Sequence, residues 1–255
     1  MLKKSRSKNL KKLGLAIYVA FLAIIGGYLF FGEYVVFNSL STVEDNLRGA
    51  SYKLVMGYAF APVSLEPTLF DPVTRSHLVD IYEGLVKTDR NLNITSGVAV
   101  SWGLLDPLTW EFTLRPGVQF HDGTMVHPKD VVASIERAQT FEQSQLKSLL
   151  NTIEKMEVID DRTLLIHTSV PDPLLLQKMA VTYIFPRQWT DFEQPMGTGP
   201  YQFISRDSFR LIMHRFKEYW GKKAASTEVV LQHIVNRNDR IAALEKGEIQ
   251  LLSNV

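Results

Sequence analysis

The sequence predicts a mixed α/β (α+β) body, a mixed sheet with hairpins and short helices, preceded by one transmembrane helix. Three observations carry that expectation. Trp110, Phe112 and Leu114 alternate with Glu111, Thr113 and Arg115, the period of a half-buried strand. Leu78, Ile81, Tyr82 and Leu85 recur at i, i+3, i+4 and i+7, which is one apolar face of a helix. Leu13 to Gly32 is a run of 20 residues without a charge, and a helix of that length spans about 30 Å, the thickness of a bilayer's hydrocarbon core.

Taken in order, residues 1–12 form a basic tail, with Lys3, Lys4, Arg6, Lys8, Lys11 and Lys12 and no acid. Such a cluster beside an apolar span stays in the cytoplasm, so the rest of the chain is expected outside. Residues 13–32 read as an uncleaved anchor. A cleaved signal peptide would carry a shorter apolar region of about 7–15 residues and small residues at its cleavage site, whereas this run ends Phe30-Phe31-Gly32-Glu33-Tyr34. Ala16/Ala20 and Ala23/Gly27 have small-xxx-small spacing, which is also common in membrane helices that do not pair. Residues 33–51 read as a polar stalk, and residues 52–255 as the folded body.

Within the body, Tyr52–Phe60 reads as a buried strand. Ala61–Pro72 holds Pro62, Pro67 and Pro72 and is a shaped loop. Arg115-Pro116-Gly117-Val118 supplies a turn, with proline presetting φ and glycine accepting positive φ, so Val118–Phe120 is expected to return antiparallel. His121-Asp122-Gly123-Thr124 makes a second turn. A helix then starts at Pro128, with Asp130 in its first turn and Val131, Ile135 and Ala138 on its buried face. Hairpins follow at Lys155–Val170, turning at Asp160-Asp161, and at Tyr201–Ile204 with Phe209–His214. Asn238 is placed as the cap of a helix carrying Ile241 and Leu244, Gly247 ends it, and Ile249–Leu252 begins a strand. The frequency of hairpins argues against a regular βαβ series.

Charge and composition exclude several classes. The net charge of +1 hides an uneven distribution: outside the tail the chain holds 22 basic against 27 acidic residues. An acidic body argues against nucleic acid as a partner. Hydrophobic residues at 45% and aromatics at 11% exclude wholesale disorder. The absence of cysteine excludes disulfides, thiolate metal sites and cysteine catalysis.

Chemistry-bearing constellations are sparse. His121, Asp122 and His127 include two zinc-type ligands and an acid, but no His-x-x-x-His spacing, and a tight turn at Asp122-Gly123 explains them without metal. No serine sits in a Gly-x-Ser-x-Gly elbow. Gly197-Thr198-Gly199-Pro200 lacks the Lys-Ser/Thr of a phosphate loop, and Pro200 removes an amide donor. The residues therefore point to no enzyme, no cofactor and no metal.

Several stretches, in order, resemble the family 5 extracellular solute-binding proteins, the oligopeptide-, dipeptide- and nickel-binding components of ABC importers. They are Leu114-Arg115-Pro116-Gly117-Val118, Phe120-His121-Asp122-Gly123-Thr124, Asp130-Val131-Val132, Ser134-Ile135-Glu136-Arg137, Gly197-Thr198-Gly199-Pro200-Tyr201, Glu218-Tyr219-Trp220-Gly221-Lys222 and the segment from Arg240 to Ile249. Tyr52–Asp71 fits the family's opening strand and Pro-rich loop, so the resemblance covers roughly residues 50–255.

The resemblance implies a periplasmic-binding-protein-like type II lobe, the first half of a two-lobed, hinged fold that closes over ligand. It implies a peptide or small-molecule ligand, ABC permease and ATPase subunits as partners, and a body in the periplasm or on the outer face of the membrane. Nickel chelates and sugars are other solutes of the family. The implied ligand contacts are Phe60, Ser64, Leu65 and Glu66, in the loop that faces the cleft. Glu66 is placed either against a peptide amino terminus or as an exposed carboxylate beside proline. The motif turns, Tyr219 and Trp220 are expected to be structural. Members of the family are about twice as long, so the second lobe is expected to be absent, either because the sequence is a fragment or because another chain completes the fold. The alternative function is an anchored single-lobe sensing or interaction module without transport.

Overall fold

The computed structural model describes residues 52–253. The basic tail, the transmembrane anchor and the stalk assigned to residues 1–51 lie outside the described residues. Among the described residues no helix is long and apolar enough to cross a membrane.

The elements run β1 (Lys53–Tyr58), α1 (Pro72–Leu78), β2 (Val86–Thr88), β3 (Ile94–Ser96), β4 (Ala99–Asp106), β5 (Thr109–Leu114), α2 (Pro128–Thr140), β6 (Ile153–Val158), β7 (Thr163–Thr168), α3 (Leu175–Val181), β8 (Tyr201–Arg206), β9 (Arg210–Arg215), β10 (Glu228–His233), α4 (Arg237–Glu245) and β11 (Leu251–Leu252). They form a five-stranded mixed sheet ordered β11-β1-β10-β9-β8, a four-stranded sheet ordered β4-β5-β7-β6, and the β2-β3 hairpin. In the mixed sheet, β11, β1 and β10 are parallel, while β9 and β8 are antiparallel additions.

Each sheet covers its own apolar cluster. Phe112 and Leu114 of β5 and Leu164 and Ile166 of β7 are buried against Val131, Ile135 and Ala138 of α2. The helix starts where local chemistry directs it. Pro128 stands in its first turn, His127 Nδ1 accepts from Lys129 N–H, and Asp130 Oδ2 accepts from His127 N–H at 2.8 Å. Beneath the mixed sheet, Leu65, Leu78, Ile81 and Tyr82 pack with Leu211, Met213, Val229 and Leu231.

Several sequence expectations need correction. Leu78, Ile81, Tyr82 and Leu85 are all buried, but α1 ends at Leu78. The Ile81 carbonyl instead accepts Gly199 N–H at 2.9 Å and the Asp80 carbonyl accepts Tyr201 N–H at 3.1 Å. Those carbonyls are taken by tertiary partners, so the helix does not continue. Strand β1 is largely half-buried, not buried. Val118–Phe120 does not return along β5, whose partners are β4 and β7. Its backbone pairs with the far side of the next turn, through Val126 N–H to Val118 O and Phe120 N–H to Thr124 O. Gly117 has φ of +77° as its turn requires. The cap of α4 is Asn236, whose side chain accepts from Asn238 and Asp239 N–H, not Asn238.

Candidate functional site

Three parallel strands finish on one side of the mixed sheet, and the carboxyl edge of such strands is where open α/β folds place ligands. Tyr58, the last residue of β1, pairs in register with His233, the last residue of β10. Two further bonds hold the chain beyond them: Ile234 N–H to Tyr58 O at 2.8 Å and His233 N–H to Phe209 O at 2.6 Å. The segments leaving this edge carry large apolar side chains into solvent: Phe60 is 60% exposed, Val63 94%, Phe209 72% and Val235 78%. Next to them an open depression of about 540 Å³ is lined by Glu193, Gln194 and residues 203–208.

The Pro-rich loop is fixed over this edge. Arg206, at the end of β8, donates from Nη2 to the Pro62 carbonyl and from Nη1 to Glu193 Oε2 at 2.9 Å. Glu193 Oε1 accepts from Ser64 Oγ at 3.0 Å. Proline at 62, 67 and 72 limits the conformations of the loop, and these bonds select one of them.

Of the four residues placed in the ligand contact by resemblance, Phe60 and Ser64 lie at the surface of the loop. Leu65 is fully buried in the apolar cluster, and Glu66 is 5% exposed. Glu66 is therefore not the exposed carboxylate of one reading. Its Oε2 accepts from Arg137 Nη2 at 2.7 Å, and its Oε1 accepts from Arg137 Nε at 3.1 Å and Thr68 Oγ1 at 2.9 Å. Arg137 is in turn stacked over Phe192 and Phe141. The pair joins the loop to α2, and 71 residues separate the partners, so nothing local announced it.

The family-like motifs meet at a second centre. Glu83, buried to 4% exposure, accepts from Thr198 Oγ1 at 2.9 Å, Tyr219 Oη at 2.7 Å and Trp220 Nε1 at 2.8 Å. It also forms an ion pair with Lys87. Burial and the adjacent Glu83 carboxylate push the Tyr219 phenol well above its ordinary range, so it stays a donor. Lys87 and Arg115 both lie over the Trp220 ring, at 4.8 and 4.3 Å from its centroid. The motif turns, Tyr219 and Trp220 are thus structural connectors.

His121 ties the first turn motif to the second. Its N–H donates to Gly197 O at 3.0 Å, its Nε2 donates to Gly199 O at 3.0 Å, and its Nδ1 lies 3.4 Å from Gly197 N. Burial depresses this imidazole to about 4, although the Gly199 carbonyl opposes the shift. His127 is occupied as the cap of α2, so the two histidines do not converge on one ion. Among the described residues no three metal-ligating groups come together.

At the sheet edge, His77 of α1 faces His233. Burial lowers His77 to about 4 and lowers His233 as well. Neither these two nor Arg206, Glu193, Phe209 and Val235 stood out in the sequence, because each acquires its surroundings from distant segments.

A two-sheet lobe with a parallel carboxyl edge and a pinned Pro-rich loop defines the class as a solute-binding-protein-type α/β lobe. The family model described as "Bacterial extracellular solute-binding proteins, family 5 Middle" matches residues 93–255, and the chain belongs to that family. The chain is 33% identical over 157 residues to the HTH-type transcriptional regulator SgrR of Escherichia coli K12, covering 58% of this chain and 27% of that protein. It is 28% identical over 193 residues to the glutathione-binding protein GsiB of Pectobacterium atrosepticum, covering 71% and 37%. Among solved structures, it superposes on the ABC transporter-associated periplasmic binding protein DppA of Helicobacter pylori, in complex with the peptide STSA. That superposition has a TM-score of 0.73 at 25% identity and covers 84% of this chain and 48% of DppA. The chain thus spans about a quarter to a half of the proteins it matches.

Proposed function

We propose that this chain supplies one ligand-facing lobe of an extracytoplasmic solute-binding component of an ABC importer, with peptide-like solutes as its ligands. The carrying observation is the carboxyl edge of β1, β10 and β11, where Phe60, Val63 and Val235 stand exposed around a fixed loop. Apolar side chains at an open edge supply contact area, and a few polar groups beside them, such as Ser64 and Glu193, orient the ligand. Phe60 and Ser64 are the proposed direct contacts, while Leu65 and Glu66 hold the loop from beneath. The solute is enclosed when a second lobe closes over this edge. A permease and an ATPase are the partners, and residues 13–32 keep the body at the membrane surface. The likeness to DppA and GsiB supports a peptide-class solute.

The test is mass spectrometry of small molecules carried through purification, together with thermal shift against peptide mixtures. A bound peptide, or a shift that Phe60→Ala reduces, supports the reading. No co-purified solute and no shift with any peptide pool overturns it.

One observation favours a second reading. The relative SgrR is a transcriptional regulator, so the lobe also serves proteins outside transport. In that reading this chain is an anchored sensing or interaction module. A ligand that binds without any dependence of uptake on the chain would select it.

A further inference from the structure

His77 Nε2 and His233 Nε2 lie 3.1 Å apart, with their rings tilted by 45° and their centroids at 5.3 Å. The two residues come from α1 and the end of β10, and 156 positions separate them in the chain. His77 Nδ1 lies 2.8 Å from the Val73 carbonyl oxygen. A carbonyl only accepts, so the His77 proton sits on Nδ1 and the Nε2 lone pair points at His233. This is the orientation of metal-ligating histidines, which donate their other ring N–H to a backbone carbonyl or carboxylate. In the metal-free form His233 must keep its proton on Nε2 to make the contact. Its Nδ1 then has no proton to offer the Ser208 backbone carbonyl, which acts on this ring, and stays buried without a hydrogen-bond partner, which is a cost. An ion between the two Nε2 atoms uses both lone pairs, and the His233 proton moves to Nδ1, where it is available to the Ser208 backbone carbonyl that acts on this ring.

The spacing suits an ion. Two imidazole nitrogens at about 2.0–2.1 Å from one cation stand about 2.9–3.4 Å apart when the angle between them is about 90–110°. The observed separation falls within that range. We propose that His77 and His233 form a two-imidazole site for a late first-row divalent cation such as zinc, nickel or copper, which staples α1 to the end of β10. Imidazole is a ligand that suits these ions, and not magnesium or calcium. Among the described residues no third protein ligand converges here, so water or an external ligand fills the other positions on the half-exposed His233 side. The charged neighbours are Arg206, which acts on both rings, and Asp71 and Asp207, which oppose it. The Arg206 guanidinium is itself engaged by Glu193 and the Pro62 carbonyl. The site does not depend on which solute the lobe takes, or on whether it takes one.

The experiment uses the full chain without a histidine tag, stripped with EDTA and titrated with nickel, zinc or copper chloride alone. One equivalent is expected to bind, and the copper form is expected to show two equivalent nitrogen ligands by electron paramagnetic resonance. His233→Gln, at a half-exposed position where the fold is retained, is expected to weaken binding at least about tenfold, as loss of a metal-site group does. His214→Gln, at an exposed histidine elsewhere, is expected to leave binding unchanged. Circular dichroism on each variant separates loss of the site from loss of the fold. No stoichiometric binding, or binding that survives His233→Gln in a folded variant, overturns the proposal.

Discussion

Trp220 Nε1 donates to Glu83 Oε2 across 2.8 Å, and 137 residues separate the two in the chain. The same carboxylate takes Thr198 Oγ1 and Tyr219 Oη, and pairs with Lys87. Two motifs that look independent in sequence, Gly197–Tyr201 and Tyr219–Gly221, are therefore joined through one buried acceptor. A carboxylate is suited to that place because it only accepts and can serve several donors at once. Buried without them, it would carry a large desolvation cost.

Glu83→Gln tests this directly. The amide replaces one acceptor oxygen with a donor that faces other donors, and the charge opposite Lys87 is lost. Stability should fall by about 2–4 kcal/mol, since hydrogen bonds to a charged group are worth more than neutral ones and unpaired buried partners add to the loss. Urea denaturation measures it. Lys87→Met, at a partly exposed cation, should cost clearly less. Equal losses for the two variants would show that Glu83 is not the shared acceptor.

Close backbone approach makes a second test. A Cβ on Gly197 would lie 2.0 Å from the Ile81 carbonyl oxygen, and one on Gly199 would lie 2.3 Å from that of Asp80. Gly197→Ala must push the 80–81 segment away and break the bonds that end α1. The expected loss is about 1–3 kcal/mol or more. Gly103, in β4, has open space around its Cβ position, and Gly103→Ala should stay within about 0.5 kcal/mol of the parent. Paired thermal melts of the two variants read the contrast.

These contacts mark where the sequence stops being informative. Helix α2 was legible because Pro128, Asp130 and the Val131/Ile135/Ala138 face lie within one local stretch. The β5 strand was legible because Phe112 and Leu114 face a core while their neighbours do not. The end of α1 was not legible, because Gly199 and Tyr201 decide it from over 100 residues away. Strand β4 escaped notice because nearly all its residues face solvent, so no alternation marks it. At the candidate site, the Pro-rich loop could be placed from its prolines and its resemblance. The pairing of Glu66 with Arg137 could not, since opposite charges are common and only the fold selects one pair.

The His121 imidazole gives a dependence on pH. Burial holds it at about 4 in the folded chain, against about 6.5 when unfolded. Between these values the unfolded chain binds the extra proton, so stability rises with pH. The contribution is complete above about 6.5 and is lost as pH falls towards 4, by up to about 3 kcal/mol in all. His121→Gln should reduce the slope of the stability profile over that window, leaving the part that the equally depressed His77 contributes, while lowering stability at neutral pH. Denaturation midpoints measured from pH 7 to pH 4 decide it, and an unchanged slope in the variant would remove His121 as the source.

The loop at the sheet edge separates support from contact. Glu66 is buried and paired with Arg137, so Glu66→Gln removes charge-assisted bonds and should cost about 1–3 kcal/mol. It should also increase protease cutting within residues 61–72, because the loop loses its tie to α2. Phe60 is largely solvent-facing, so Phe60→Ala should change stability by no more than about 0.5 kcal/mol. If the carboxyl edge takes a peptide-like solute, the same Phe60→Ala change should reduce the thermal shift produced by that solute, because an exposed aromatic supplies contact area only in the complex. Glu66→Gln should weaken solute binding through loop disorder, and binding measured by calorimetry at a lower temperature that restores the loop should recover part of it. Phe60→Ala has no such recovery, since the missing group is the contact itself. A Phe60→Ala chain that binds as well as the parent would move the ligand contact away from this loop.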